Sequence, residues 1–215
     1  MVFSGWSSEA VEFYEGLEAD NSKSYWQVHR QVYENQVHAP MEELLAALAP
    51  DFGEGRIFRP YRDVRFSADK SPYKTAIGAT LDGGGYVQFS ADGLGAASGM
   101  YQLASDQLHR YRAAVAADDS GTALVRLTDA ARSRDAEITA HDSVRTAPRG
   151  YPKDHPRIDL LRLKGLVAWK HWPPETAAQP SVPQLVTEFF RDCVPLQQWL
   201  DRYVGASRLP PDRRR

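Results

Sequence analysis

One stretch of thirteen residues concentrates the side chains able to do chemistry. It reads Arg62-Asp63-Val64-Arg65-Phe66-Ser67-Ala68-Asp69-Lys70-Ser71-Pro72-Tyr73-Lys74, with four basic and two acidic groups. Arginine offers planar, bidentate hydrogen bonding to phosphate or carboxylate, and lysine adds a point charge. If 62–66 is extended, Arg62 and Val64 face one way while Asp63 and Arg65 face the other. Residues 67–72 then read as a tight turn whose Ser and Asp side chains bond local backbone, and Tyr73 and Lys74 lead back into a sheet. Three roles fit these residue types. The cations can cradle an anion. Asp63 or Asp69 can act as a base while the arginines stabilise developing negative charge. Or the charges can form an ion-pair network that pins the loop.

Charge is uneven along the chain. The net is −2, from 26 Lys plus Arg against 28 Asp plus Glu. Residues 1–55 carry a net of −8 and residues 75–144 a net of −4. Two basic islands interrupt this acidic background, at 56–74 (+4) and 145–171 (+5). The second holds Arg149, Lys153, His155, Arg157, Arg162 and Lys164. If folding joins the islands, Arg62, Arg65, Lys70, Tyr73, Lys74, Arg162 and Lys164 form one positive site on a negative body. Asn21, Lys23, Trp26 and Arg30 are candidates to line the same cleft. Trp26 then either stacks on a base or sugar or simply packs in the core. The expected partner is a small anionic ligand, a nucleotide, phosphorylated metabolite or nucleic-acid end. Extended double-stranded nucleic acid is disfavoured because the acidic body repels it.

The elements that must position these groups follow from periodicity. Ala10, Phe13, Tyr14 and Leu17 lie on one face of a helix over 8–19. A second helix is expected over 24–39 with Trp26, Tyr33 and Val37 inward, and Pro40 starts or kinks a further stretch that buries Met41, Leu44, Leu45 and Leu48. Strands are expected at 56–59, 75–81, 86–90 and 94–100, turning at Gly83-Gly84-Gly85 and Asp92-Gly93 as an antiparallel meander. The glycines of the last strand leave its backbone open to close approach. Helices return at 105–117 and 122–134. An ordered loop covers 141–157, a helical turn 158–164 and a strand 166–172, where Lys170-His171-Trp172 reads as an edge or surface feature. A capping box at Ser181 opens a final helix, with Pro195 as a kink. The fold class is α+β: one domain over 1–206, with a central, mainly antiparallel sheet covered by helices, and a frayed tail at 207–215.

Several functions are excluded or left without support. One cysteine, Cys193, cannot make an internal disulfide or a cysteine-rich zinc site. It reads as a small buried hydrophobe. The six histidines form no metal-binding pair, so no metal site is expected, and no cofactor is indicated. No phosphate loop, dinucleotide fingerprint or nucleophile elbow is present. No apolar run approaches the ~20 residues of a membrane span, and the N-terminal residues lack the basic and apolar regions of a secretory signal, so a cytoplasmic location is expected. Oligomeric state is not readable.

The central segment Arg62-Asp63-x-Arg65-Phe66-Ser67-x-Asp69-Lys70-Ser71-Pro72-Tyr73-Lys74-Thr75 resembles the signature of domain-of-unknown-function family 2461. Phe3-x-Gly5-Trp6 and Asn21-x-Lys23-x-x-Trp26-x-x-x-Arg30-x-x-Tyr33 fit the same resemblance, with Asp20-Asn21 standing where the family usually has paired asparagines. So do Gly99-Met100-Tyr101, Pro148-Arg149-Gly150-Tyr151 and Asp159-Leu160-Leu161-Arg162-Leu163-Lys164. The resemblance spans residues 3–204. It implies one domain and brings no reaction or ligand with it. An anion-binding protein, an enzyme acting on a phosphorylated or carboxylated substrate, and a scaffold remain the three readings.

Overall fold

The computed structural model describes residues 2–65 and 68–210. The chain is α+β. Its six strands are β1 (Gly55–Ile57), β2 (Ala76–Leu81), β3 (Tyr86–Ser90), β4 (Gly93–Met100), β5 (Glu137–Thr139) and β6 (Leu166–Trp172), ordered β1-β2-β3-β4-β6-β5 in one sheet. The β1–β2, β2–β3 and β5–β6 pairings are antiparallel. The helices are α1 (Ser8–Ala19), α2 (Lys23–Val32), α3 (Ala39–Phe52), α4 (Ser105–Ala116), α5 (Asp118–Arg132), α6 (Ile158–Arg162), α7 (Pro174–Ala177) and α8 (Val182–Tyr203), with a π-helical segment, Tyr33–His38, between α2 and α3. The chain forms two compact units, Met1–Ala96 with His171–Phe189 and Ala97–Lys170 with Phe190–Arg215, and the boundary falls inside β4, β6 and α8.

In the first unit, Ala10, Phe13, Tyr14 and Leu17 are buried as the spacing of α1 requires. Ser22 caps α2 by accepting the Tyr25 amide at 3.2 Å. The helix then widens rather than ends. The Ala39 amide reaches back to the Glu34 carbonyl, the π-type bond. Pro40 explains the position: it has no N–H, and its ring crowds the carbonyl four residues earlier, so a widened turn ahead of it relieves the clash. The Trp6 indole donates to the Val37 carbonyl (3.3 Å) and stacks on Phe89 of β3, with ring centres 4.5 Å apart. On β2 and β3, Ile77, Ala79, Leu81, Val87 and Phe89 are buried while Thr80, Tyr86 and Gln88 are half-exposed, the alternation of a sheet wet on one face.

In the second unit, α5 begins at Asp118, four residues before the expected start, because Ser120 turns the chain by donating to the Ala114 carbonyl at 2.6 Å. The Trp199 indole donates to the Ser120 carbonyl (2.9 Å), and the Tyr111 hydroxyl to that of Leu160 (2.9 Å). Cys193 is buried, and burial pushes its thiol up to about 12. Asp106 accepts from Arg110, the Ser207 hydroxyl and the Arg208 amide, so residues 207 and 208 are bonded to α4; residues 211–215 of the expected tail lie outside the described residues.

Two expectations are corrected. The first strand is Gly55–Ile57, not 56–59, because the chain leaves the ladder after the Phe58 amide bonds to the Gly78 carbonyl. β6 lies between β4 and β5, but its pairing with β5 stops at Trp169, so Lys170-His171-Trp172 runs past that ladder and His171 is exposed, as expected of an edge or surface feature. The strand Glu137–Thr139 and helix Pro174–Ala177 were not anticipated, being too short for a periodic signal. The close approach foreseen on β4 is strand to strand. At Gly99 (φ +136°) an added Cβ would lie 2.2 Å from the Leu166 carbonyl oxygen. Gly99→Ala should therefore cost more than about 2 kcal/mol, from left-handed backbone and a displaced strand. A urea titration checks this, and an unchanged midpoint would contradict the close approach.

Candidate functional site

The motif lies in the first unit and is held at both ends. The Tyr61 and Tyr73 backbones form an antiparallel bridge; the Arg62 amide donates to the Pro72 carbonyl (2.9 Å) and the Lys74 amide to that of Pro60 (2.8 Å). Residues 62–72 are thus the tip of a hairpin whose stem continues β1 and β2. The stem is irregular. Ile57 pairs with Ala79 and Tyr61 with Tyr73, so four steps along one strand are matched by six along the other. A bulge of this kind re-aims side chains. Here the two surplus residues lie on the longer arm, where Thr75, Ala76 and Ile77 stand opposite Arg59.

Asn21 and Trp26 hold this stem. The Asn21 carboxamide accepts the Tyr73 amide (3.0 Å) and donates to the Tyr73 carbonyl (3.1 Å), satisfying both backbone groups. The Trp26 ring lies flat on the Tyr73 ring, 4.4 Å between centres and 6° from parallel, and also meets Tyr33 and Phe13. Trp26 and Tyr73 are both buried, which is the core-packing alternative for Trp26. Tyr61, on the other arm, is 51% exposed. Lys23 is exposed at the start of α2, and Arg30 pairs with Glu34 at 3.7 Å on the outside of the helix.

Within the tip most charges are satisfied by neighbours. Asp63 grips Arg65 through two bonds (2.9 and 2.7 Å), as their shared face predicts. Asp69 pairs with Arg62 and accepts both the amide (2.9 Å) and the hydroxyl (2.6 Å) of Ser71. Lys70 donates to the Val64 carbonyl at 2.9 Å. Phe66 and Ser67 lie outside the described residues. These bonds set the acidities. The Ser71 hydroxyl and amide, then Arg62, hold the Asp69 carboxyl well below the ordinary range, and Arg65 lowers that of Asp63.

Lys74 differs. Its ammonium lies 5.4 Å from the centre of the Phe58 ring, and among the described residues neither it nor Arg59 is in an ion pair, although the charge of Arg59 helps to lower the pKa of Asp63. Burial, then the like charge of Arg59, lowers the Lys74 pKa. The Phe58 side chain above them is 39% exposed. Arg59 and Phe58 were missed as candidates from sequence. Their signal was the hairpin itself, since pairing Tyr61 with Tyr73 brings Arg59 and Phe58 towards Lys74.

The second island lies in the second unit. Arg162 pairs with Asp159 (3.2 Å), and its Nε is buried with no acceptor found among the described residues. Lys164 pairs with Asp142 and lowers the pKa of that carboxyl. Arg157 is spent on the carbonyls of Val115 (2.6 Å) and Ala116 (2.8 Å), closing the end of α4. An open cleft of about 400 Å³ in the first unit is lined by Trp6, Val11, Glu12, Glu15 and Glu175, an acidic rim unsuited to an anion. Among the described residues no cluster of His, Cys, Asp or Glu is placed to hold a metal ion, and no helix is long and apolar enough to cross a membrane.

The model of a conserved hypothetical protein family, DUF2461, matches residues 9–199. The chain belongs to this family. No curated protein and no solved structure matches it. The match takes in the whole tyrosine-anchored hairpin of this DUF2461 chain, the Asn21 clamp and the Leu-Leu-Arg segment of α6.

Two outcomes test the geometry. Asn21→Ala strands the buried amide and carbonyl of Tyr73 and should cost about 1–3 kcal/mol. Asn21→Asp keeps the acceptor but turns an oxygen on the Tyr73 carbonyl, so it should also destabilise; equilibrium denaturation reads both. The second concerns pH. The folded pKa values of Asp63 and Asp69 are depressed, so their pinning of the loop is fully present above the unfolded carboxyl value of about 3.9 and is lost as pH falls through the folded values. Carbon-detected NMR titration should find Asp69 still ionised at pH 3, and a midpoint near 3.9 would refute its bonds to Ser71 and Arg62.

Proposed function

We propose that this protein binds a small phosphate- or carboxylate-bearing ligand at the Phe58, Arg59 and Lys74 corner of the hairpin stem. The observation that carries the reading is the proximity of two like charges, Arg59 and Lys74, on an irregular, partly exposed stretch, where the carboxylate that Arg59 acts on, Asp63, is already bonded to Arg65. Natural surfaces rarely hold two cations together without a counter-charge, and an anion seated there gains two charge-assisted hydrogen bonds at once. Tyr73 supports the site as its anchor, with Asn21 and Trp26 behind it. Asp63 and Asp69, gripping Arg65 and Arg62, shape the loop that flanks it, and Lys70 ties that loop to Val64.

The enzymatic alternative, with Asp63 or Asp69 as general base, has less support. A carboxylate held far below neutral pH by arginine and serine accepts a proton poorly. The scaffold reading accounts for the ion pairs of the tip but not for the two neighbouring cations that make none.

Isothermal titration with inorganic tripolyphosphate tests the proposal. Binding should weaken as salt is raised. The double variant Arg59→Ala with Lys74→Ala should lose about tenfold or more in affinity without a change in fold, while Lys153→Ala, in the second unit, should bind as the wild type does. Affinity indifferent to salt and to the double variant would remove the site.

A further inference from the structure

The aromatic cluster behind the hairpin holds polar atoms that the fold does not use. Trp26, Tyr33 and Tyr73 are 6%, 4% and 4% exposed. With the exposed Tyr61 their rings form one group. Ring centres lie 4.4 Å apart for Trp26 and Tyr73, 4.7 Å for Trp26 and Tyr33, 5.3 Å for Tyr61 and Tyr73, and 6.1 Å for Trp26 and Tyr61. Elsewhere the chain gives such groups a carbonyl. The indoles of Trp6 and Trp199 donate to Val37 and Ser120, and the hydroxyls of Tyr25 and Tyr111 to Phe13 and Leu160, at 2.9 to 3.3 Å. The Trp26 indole N–H and the Tyr33, Tyr61 and Tyr73 hydroxyls have no hydrogen-bond partner among the described residues. Nor are they sealed. Among the described residues that are not themselves exposed, Arg162 Nε alone is both shut off from solvent and unpartnered. The polar ends of Trp26, Tyr33 and Tyr73 therefore open to solvent from side chains that are otherwise enclosed. The hydroxyls also neighbour one another. After burial, Tyr61 raises the pKa of Tyr73; after burial and Glu34, it raises that of Tyr33.

We propose that the hydroxyls of Tyr33, Tyr61 and Tyr73, with the Trp26 indole N–H, receive the carboxylate group of a small acid. An indole N–H only donates, and phenols are protonated at neutral pH, so all four groups offer a hydrogen to one acceptor. A carboxylate is acceptor-only, and hydrogen bonds to it are of the stronger, charge-assisted kind. The ring edges, where these hydrogens lie, carry the positive part of the aromatic quadrupole. The charges around the cluster leave a positive balance. Glu34 pairs with Arg30 and Asp63 with Arg65. Arg59, two residues before Tyr61, is in no ion pair among the described residues, and its charge reaches Asp63, two residues after. One cation and neutral donors suit a single negative charge. A phosphate group carries about −1.5 to −2 at neutral pH and costs more to take out of water. The site shares Arg59 with the anion corner but neither Phe58 nor Lys74, so it goes beyond that reading, and acetate binding here is expected whether or not tripolyphosphate binds there.

The test follows the tryptophan indole N–H signals by proton–nitrogen NMR as sodium acetate is added at constant ionic strength, with Trp26→Phe assigning the Trp26 signal. The Trp26 indole proton should move downfield and saturate. Those of Trp6 and Trp199, already bonded to carbonyls, should stay in place. Tyr33→Phe and Tyr73→Phe each keep the ring and remove only the hydroxyl. Each should weaken acetate binding about tenfold and leave the urea midpoint at the wild-type value, because the lost hydroxyl has no partner inside the protein. A Trp26 signal that acetate moves no further than sodium chloride does overturns the proposal. So does acetate affinity that survives both variants, or equal binding of uncharged acetamide. A lowered midpoint in both variants also overturns it, since the hydroxyls would then be bonded within the fold. Inorganic phosphate bound as tightly as acetate overturns the choice of a carboxylate.

Discussion

Tyr73 is the residue on which the hairpin depends. Its ring is stacked on Trp26, and its backbone amide and carbonyl are both taken by the Asn21 carboxamide. Few residues are fixed at both side chain and main chain by partners about fifty positions away in sequence. Because Tyr73 cannot move, neither can Tyr61 across the bridge or Lys74 beside it. The arm from Lys74 to Gly78 must then take up two residues more than the arm from Phe58 to Pro60. The bulge opposite Arg59 is thus a consequence of where Asn21 and Trp26 sit.

The same constraint separates two uses of charge in one motif. At the tip, where the chain has no anchor of its own, each carboxylate is matched to an arginine or a serine within a few residues. Such local, exposed pairs contribute little each, on the order of 0–1 kcal/mol, but together they limit the loop to few conformations. At the stem, the anchor already fixes the backbone, and Arg59 and Lys74 sit together without an ion pair of their own among the described residues. Binding energy at a pair of cations is greatest where the protein, not the ligand, has met the cost of assembling like charges.

Much of this was legible in the residues. The helical face of α1, the strands around Gly83 to Gly85 and the Asp92-Gly93 turn follow from period and turn chemistry, and the facing of Asp63 and Arg65 follows from an extended backbone. The thirteen-residue motif correctly drew attention to the hairpin. What could not be read was which cations are satisfied. That depends on the bridge between Tyr61 and Tyr73 and on a register shift, both long-range pairings that local propensity does not encode. Trp26 illustrates the same limit, because an aromatic on a helix looks alike whether it meets a ligand or another ring. The π-helical turn before Pro40 was visible only as a kink, since proline marks where a helix must adjust and not how.

The most direct measurement is the titration of the Lys74 ammonium by carbon-detected NMR, alone and with saturating tripolyphosphate. Burial and Arg59 should hold its pKa below the ordinary lysine value of about 10.4 in the free protein, and a phosphate seated between the two cations should raise it. A Lys74 that titrates at the ordinary value in both states would contradict a half-buried lysine beside Arg59, and with it the proposed site.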